Sequence, residues 1–272
     1  MAKIYDVLVL DIDGTTVNSN KEVDVRTQEA LIALQEAGTT VILASGRPPE
    51  GVYSIAKLLE FDRFNGHFIA FNGAKVMRYT DKVCLHETCL DHSVIELMYD
   101  TAKTLGLGIM TYDEGRILAG TKPDAYMRGE SEWCGLPLVR TEDFISQLPV
   151  NPHQCLLTGN KGQLSKLVPQ LIDLVDGRAE VFHSDLYCIE ISPPGMNKSV
   201  GVDYLFKRLG LSRKRAVFCG DSYNDVAMLA YAHMGVAMRN APQPVRRQAD
   251  YVTKLTNDEA GVVEVVHRYF TI

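Results

Sequence analysis

Asp11 and Asp13 stand two residues apart in the stretch Asp11-Ile12-Asp13-Gly14-Thr15-Thr16, directly after the apolar run at residues 4–10. Two carboxylates placed together repel each other unless a cation or a shared proton relieves them. An apolar run of this length, bounded by a glycine turn, reads as a buried strand of a parallel sheet. Open α/β sheets bind ligands just beyond the carboxyl ends of such strands. In a regular strand residues 11 and 13 share a face, and a turn at Gly14 lets the chain curl so that both acids aim at one ligand. The occupants expected there are a hard divalent metal and a phosphoryl group.

Three further sets of polar residues fall where a strand ends or a helix begins: Ser45-Gly46, Lys198, and Asp221 with Asn224 and Asp225. Asp11, Asp13 and Asp221 offer the oxygen ligands that magnesium takes, one or two carboxylates alongside substrate phosphate. The Ser45 hydroxyl and the Gly46 amide can hydrogen-bond phosphate oxygens near a helix start. Lys198 adds a positive point charge for the same group.

The elements that must position these residues follow from periodicity. A helix is expected over 24–37, a strand over 39–44, a helix from Pro48 to about Leu59 and a strand over 68–71 ending at Asn72-Gly73-Ala74. This strand–helix alternation predicts an α/β fold: a doubly wound, Rossmann-like parallel-sheet core. After residue 80 the rhythm changes. A helix is expected over 90–105 with Asp91 as its cap, then a hairpin of strands 108–112 and 116–119 turning at 113–115. Helices near 123–134 and 163–175 and strands near 153–158, 179–183 and 186–191 follow. Such a mixture predicts an inserted α+β cap domain at residues 84–189, flanked by a discontinuous core at 1–83 and 190–272, with Ser192-Pro193-Pro194-Gly195 as the return. The βα rhythm then resumes: a helix after Asn197, a strand over 215–219, a helix around Val226 to Ala230, strands over 234–238 and 250–252, and a terminal helix over 258–270 capped by Asn257.

Bulk properties bound the function classes. The 272 residues are 46% hydrophobic and 23% charged, with a net charge of −6. That balance argues against a general nucleic-acid or anionic-membrane partner. The six cysteines, Cys84, Cys89, Cys134, Cys155, Cys188 and Cys219, show no C-x-x-C pair and no zinc-type spacing. They read as buried thiols of a reducing compartment. Met1-Ala2-Lys3 leads straight into the first strand with no signal peptide, and no apolar run reaches membrane-span length. A cytoplasmic protein, monomer or small homo-oligomer, is the expectation.

Taken in order, the motifs Asp-Ile-Asp-Gly-Thr (11–15), Ala-Ser-Gly-Arg (44–47), Asn-Gly-Ala (72–74), Lys198 after Pro-Gly-Met-Asn, Gly-Asp-Ser-Tyr-Asn-Asp (220–225), Gly-Val-Ala-Met (235–238) and Asn-Asp-Glu-Ala-Gly-Val (257–262) span nearly the whole chain. The sequence resembles the haloacid dehalogenase (HAD)-like hydrolases, specifically the Cof-type sugar-phosphate phosphatases with a type IIB (C2B) cap. The resemblance implies a magnesium-dependent phosphomonoesterase acting on small phosphorylated metabolites. Asp11 would be the nucleophile that forms an aspartyl-phosphate. Asp13 would protonate the leaving alcohol and then activate water. Mg2+ would be held by the Asp11 side chain, the Asp13 backbone carbonyl and Asp221. Ser45, Gly46, Lys198 and Asn224 would hold the phosphoryl group, with Thr15, Arg47, Asn72 and Asp225 in support. The sequence departs from the family pattern at Thr16, where leucine is usual, at Ser199, where glycine commonly follows the lysine, and at Arg239.

Two other readings stay open: a sugar phosphomutase sharing the same nucleophile, and a regulatory protein that binds a phosphometabolite without turnover. Within the insert, Asp113, Arg116, Lys122 and Tyr126 are polar candidates for sugar contact, although a solvated surface role is the plainer reading. His153 and His183 are expected to be structural, and Trp133 a core residue.

Overall fold

The structure is a computed structural model that describes residues 5–113 and 115–271. The expected strand start at Ile4, the Met1-Ala2-Lys3 lead-in, Glu114 of the predicted 113–115 turn and Ile272 lie outside the described residues.

The first strand, β1 (Val7–Leu10), is buried at every position. Helix α1 (Val25–Glu36) starts at Asp24, whose carboxylate accepts from the Arg26 N–H, and it buries Ala30, Leu31 and Leu34. Strand β2 (Thr40–Ala44) leads to α2 (Pro49–Leu58), opened by a proline whose missing N–H costs nothing in a first turn. Strand β3 (His67–Ala70) follows, and β4 (Lys75–Arg78) returns antiparallel to it. Beyond β4 lies β5 (Cys84–Glu87). These last two were not expected from the sequence. Both are short: β5 lies at the sheet's edge with no buried residue, and β4 buries only Val76 and Met77, so neither has the continuous apolar run that marks a buried strand.

The insert opens with α3 (His92–Leu105), capped by Asp91 as expected. Strands β6 (Gly108–Asp113) and β7 (Arg116–Ala119) form the predicted antiparallel hairpin. Helix α4 (Ala125–Cys134) and strand β8 (Leu138–Arg140) come next, the latter unforeseen. Then come β9 (Cys155–Thr158), α5 (Lys161–Val175), β10 (Glu180–Asp185) and β11 (Cys188–Ser192). From Asn197 the chain forms α6 (Lys198–Leu209), β12 (Ala216–Gly220), α7 (Val226–Tyr231) and β13 (Met234–Ala237). It ends with α8 (Gln243–Arg246), β14 (Tyr251–Val252) and α9 (Gly261–Tyr269).

The described chain divides into two compact units, one running up to His86 and resuming at Asn197, the other Glu87–Met196. The sheet of the first has the order β14-β13-β12-β1-β2-β3-β4-β5. Its central pairs, β12–β1, β1–β2, β2–β3, β12–β13 and β13–β14, are all parallel. The chain steps outward from β1 to β2 and β3, then returns to the other side at β12. The crevice where strand order reverses therefore lies at the carboxyl ends of β1 and β12. The core beneath it includes Val7, Val9, Ile42, Ile69, Val202 and Phe218. The second unit has its own sheet, β10-β11-β9-β6-β7-β8, antiparallel except for β7–β8, and its own core built on Ile95, Met98, Ile109, Phe144 and Leu157.

Three expectations are corrected. The terminal helix does not start on an Asn257 cap. Residues Asn257–Glu259 form a 3-10 turn closed by a Thr256/Glu259 capping box, and the helix begins at Gly261 after Ala260 at φ 60°. Trp133 is not core: it is 45% exposed on α4, edge-on to Tyr126. Of the six cysteines, Cys84 and Cys89 are exposed and the other four buried. Among the described residues no helix is long and apolar enough to cross a membrane.

Candidate active site

Asp11 leaves β1 still in register, its N–H donating to the Cys219 carbonyl of β12 at 2.9 Å. The chain then turns sharply. The N–H groups of Thr15, Thr16 and Val17 all converge on the Ile12 carbonyl. Gly14 permits this at φ 77°, and a Cβ there would run into the Asp221 carboxylate. Thr16, the residue that departs from the family pattern, is buried, and its hydroxyl donates to the Asp11 backbone carbonyl at 2.5 Å. The departure thus strengthens the turn that presents the first acid.

Asp11, Asp221 and Asp225 form one cluster, with carboxylate oxygens all within 4.8 Å of one another. Lys198 enters it from the first turn of α6. It is fully buried, and its Nζ donates to Asp11 Oδ1 at 2.5 Å and to Asp225 Oδ1 at 2.7 Å. Asn197 caps that helix by accepting from the Ser199 N–H at 3.0 Å. Gly73 is held against the Asn197 carbonyl at φ 106°, a close approach that a Cβ would block. Burial opposes the Lys198 charge, but the two carboxylates outweigh it and hold the ammonium well above its usual range.

Asp225 acts mainly on its neighbours. Its Oδ2 accepts from the Asp221 and Ser222 N–H groups, both at 2.9 Å, while Oδ1 takes Lys198. Asp221 accepts from the Thr15 hydroxyl at 3.1 Å. Burial and the nearby Asp225 charge push Asp221 up to about 7, against the Thr15 hydrogen bond and Lys198. Burial and Asp225 likewise raise Asp11 despite Lys198. Two buried acids and the half-buried Asp221 thus crowd around one ammonium, and once all three are ionised they carry excess negative charge. The all-oxygen donor set and that excess charge fit magnesium. Nearby in sequence, Asn224 Oδ1 is a buried acceptor with no hydrogen-bond partner among the described residues.

The Asp13 carboxylate is not one of the three that make up this cluster; it is held by two cations instead. It is gripped by Arg47, Nε to Oδ2 and Nη2 to Oδ1, both at 2.7 Å. Lys21 Nζ adds a third bond at 2.7 Å. Arg47 is itself buried and anchored to the Gly51 carbonyl at 3.1 Å. Burial would raise Asp13, but the bidentate guanidinium and Lys21 overcome it and hold the acid well below the usual carboxylate range. The Asp13 side chain is still 35% exposed.

Ser45, Gly46, Asn72 and Asn224 make the third wall. Ser45 is buried, and its hydroxyl accepts from the Arg47 N–H at 3.1 Å, which leaves its own proton to donate. The Asn72 N–H donates to the Ser45 carbonyl at 3.0 Å. Asn72, in the left-handed region at φ 49°, accepts from Asn224 Nδ2 at 2.9 Å. A Cβ on Gly46 would sit 3.0 Å from the Asn72 amide, so glycine keeps this wall open.

Two contributors were not found from the sequence. Lys21 lies in a loop as an ordinary-looking surface lysine, and no local pattern marks it. Asn240 donates to the Gly14 carbonyl at 2.8 Å, reaches Asp221 Oδ2 at 3.4 Å and accepts from the Asn257 N–H at 3.1 Å. Asn257 in turn donates to the Val17 carbonyl at 3.0 Å. The carboxy-terminal motif therefore braces the Asp13–Val17 turn.

Comparisons with known proteins agree with this geometry. The family model for haloacid dehalogenase-like hydrolases matches residues 8–266. The chain is 26% identical to the 5-amino-6-(5-phospho-D-ribitylamino)uracil phosphatase YitU of Bacillus subtilis, over 98% of each chain. It superposes on a haloacid dehalogenase-like hydrolase from Bacteroides thetaiotaomicron with a TM-score of 0.90 and 37% identity, covering 98% of this chain and 100% of that one. It shares the fold of the HAD subclass IIB sugar phosphatase BT4131, with a TM-score of 0.82 at 22% identity over 97% and 98% of the two chains. A match across almost the whole chain, on a sheet whose switch point gathers Asp11, Lys198 and Asp221, places the protein: it belongs to the haloacid dehalogenase-like hydrolases, and is a HAD-type phosphatase.

Proposed function

We propose that the protein is a magnesium-dependent phosphomonoesterase that hydrolyses small phosphorylated metabolites, sugar phosphates foremost, through an aspartyl-phosphate on Asp11. The observation that carries this reading is the buried Asp11–Lys198–Asp225 cluster beside Asp221 at the β1/β12 crevice. The ribityl phosphate in the name of one relative and the sugar phosphatase among the structural neighbours support the substrate class.

Asp11 attacks phosphorus, and the bond from phosphorus to the alcohol oxygen breaks. Lys198 offsets the approach of carboxylate to phosphate dianion, like charge to like charge. The Ser45 hydroxyl, the Gly46 N–H, Lys198 and Asn224 hold the phosphoryl oxygens. Asp13 gives a proton to the departing alkoxide. Water then attacks phosphorus, Asp13 takes the water proton, and the bond from Asp11 to phosphorus breaks. Asp11, the Asp13 backbone carbonyl and Asp221 would hold magnesium, which when bound supplies the charge that keeps the acids ionised and neutralises the phosphate. Asp225 and Thr15 hold Asp221 in place, and Asn72 orients Asn224.

The grip of Arg47 and Lys21 bears on Asp13's two duties. It favours the ionised form, the base that activates water in the second step. Protonating the alcohol requires Asp13 to take up a proton against both cations, so the acid step needs their hold to loosen when substrate arrives.

The unit up to His86 and from Asn197 onward is the catalytic core in this reading, and Glu87–Met196 the cap that sets substrate choice. A cytoplasmic setting fits the exposed thiols Cys84 and Cys89. The test is a panel of phosphorylated metabolites with magnesium present, followed for both inorganic phosphate and isomeric product. Phosphate release without an accumulating isomer is the expected result. An isomeric sugar phosphate with little phosphate would make the protein a mutase, and no turnover of any phosphomonoester would make it a binding protein.

A further inference from the structure

The second unit carries a ligand cluster that the phosphatase chemistry does not use. Glu87, Cys89 and His153 bring a carboxylate oxygen, a thiol sulfur and a ring nitrogen within 4.8 Å of one another. All three belong to the Glu87–Met196 unit. We propose that they form a second metal site, selective for a borderline divalent ion of the zinc class and separate from the magnesium site at Asp11.

The donor chemistry sorts the two sites. The Asp11 cluster offers oxygen alone, the set that magnesium prefers. Glu87, Cys89 and His153 offer one oxygen, one sulfur and one nitrogen. A thiolate and an imidazole select zinc and its neighbours over magnesium or calcium. Three protein ligands leave a fourth tetrahedral position for water, and the half-open surroundings suit that. Glu87 and Cys89 face solvent, while His153 is buried.

The backbone already holds the ligands close. Glu87 ends β5, and the chain beyond it runs without helix or turn to Leu90. Alternate residues of extended chain point the same way, which aligns Glu87 with Cys89. The Leu90 N–H donates to the Pro152 carbonyl at 2.6 Å, pinning this segment against the residue before His153. Asp91 then caps α3, fixing the other end of the segment. His153 Nε2 lies 2.9 Å from Glu87 Oε2. In a tetrahedral zinc site neighbouring ligand atoms lie roughly 3.3–3.7 Å apart. Binding therefore needs only a small separation of groups that already touch, and Cys89 releases its thiol proton to solvent.

Sequence spacing gave no hint of this. Glu-x-Cys is not a zinc signature, and His153 lies far away along the chain.

The test uses the full chain with the Asp11 site saturated by excess magnesium. Cobalt(II) is titrated in as a spectroscopic probe, and zinc is added to displace it. The expected result is one equivalent of tetrahedral cobalt with a thiolate-to-metal charge-transfer band. That band should vanish in Cys89→Ser and persist in Cys84→Ser, and affinity should fall at least about tenfold in His153→Gln and Glu87→Gln. Far-UV circular dichroism checks that the variants fold. Independently of any variant, zinc should protect Cys89 but not Cys84 from alkylation, read by peptide mass spectrometry. Absence of the band in the wild type, its survival in Cys89→Ser, or equal alkylation of Cys89 with and without zinc would overturn the proposal.

Discussion

Lys198 ties together two acids of the candidate site. It is fully buried, and both of its identified partners, Asp11 and Asp225, are buried acids. Removing one partner of such a network leaves charge without compensation, at a cost of about 3–5 kcal/mol. Lys198→Met is therefore expected to lower stability by about that much in denaturant unfolding, and to reduce turnover by at least about 10²-fold through lost charge stabilisation. A variant as stable and as active as the wild type would remove Lys198 from both roles. At this scale the sequence showed a good deal. Asp11, Lys198 and Asp221 were legible because each ends a strand or opens a helix in a recognisable motif. The direction in which Asp13 points was not. It depends on Lys21 and Arg47, cations that close on it only once the loops are folded.

At the scale of elements, the site depends on one tight turn and on what braces it. The Asp13–Val17 turn is tied to the carboxy-terminal segment through Asn240 on the Gly14 carbonyl and Asn257 on the Val17 carbonyl. Groups that hold a metal ligand from outside typically change affinity or activity by about 10–100-fold when lost. Asn240→Ala should thus raise the magnesium concentration needed for half-maximal phosphate release by roughly tenfold, with about 1 kcal/mol of lost stability. An unchanged magnesium dependence would mean the brace is not needed. The sequence suggested Asn257 as a helix cap because asparagine before an apolar periodic stretch is the usual sign of one. The structure gives the capping to Thr256 and Glu259 and turns Asn257 toward Val17. Strands β4, β5 and β8 escaped sequence reading for another reason. β5 and β8 are edge strands and β4 buries only its two middle residues, so none has the two-sided burial that writes a continuous apolar run.

At the scale of the whole molecule, the candidate site is a long-range construction. Asp11, Asp13 and Ser45 come before the Glu87–Met196 unit in the chain, and Lys198, Asp221 and Asn224 after it. The β1–β12 pairing joins the two halves, and the crevice at the ends of those strands exists only once it has formed. The parallel core was legible because strand–helix alternation resumes after the insert with the same period. The second unit's sheet order was not, because antiparallel pairings among short strands leave no order-specific trace in sequence. The central claim is that Asp11 is the nucleophile of a metal-assisted phosphoryl transfer. The most direct test is hydrolysis of p-nitrophenyl phosphate by the wild type and by Asp11→Asn, with magnesium present and after chelation. The account predicts magnesium-dependent turnover by the wild type and loss of at least about 10³-fold in Asp11→Asn, since an amide cannot form the acyl phosphate. Equal rates for the two proteins would contradict it.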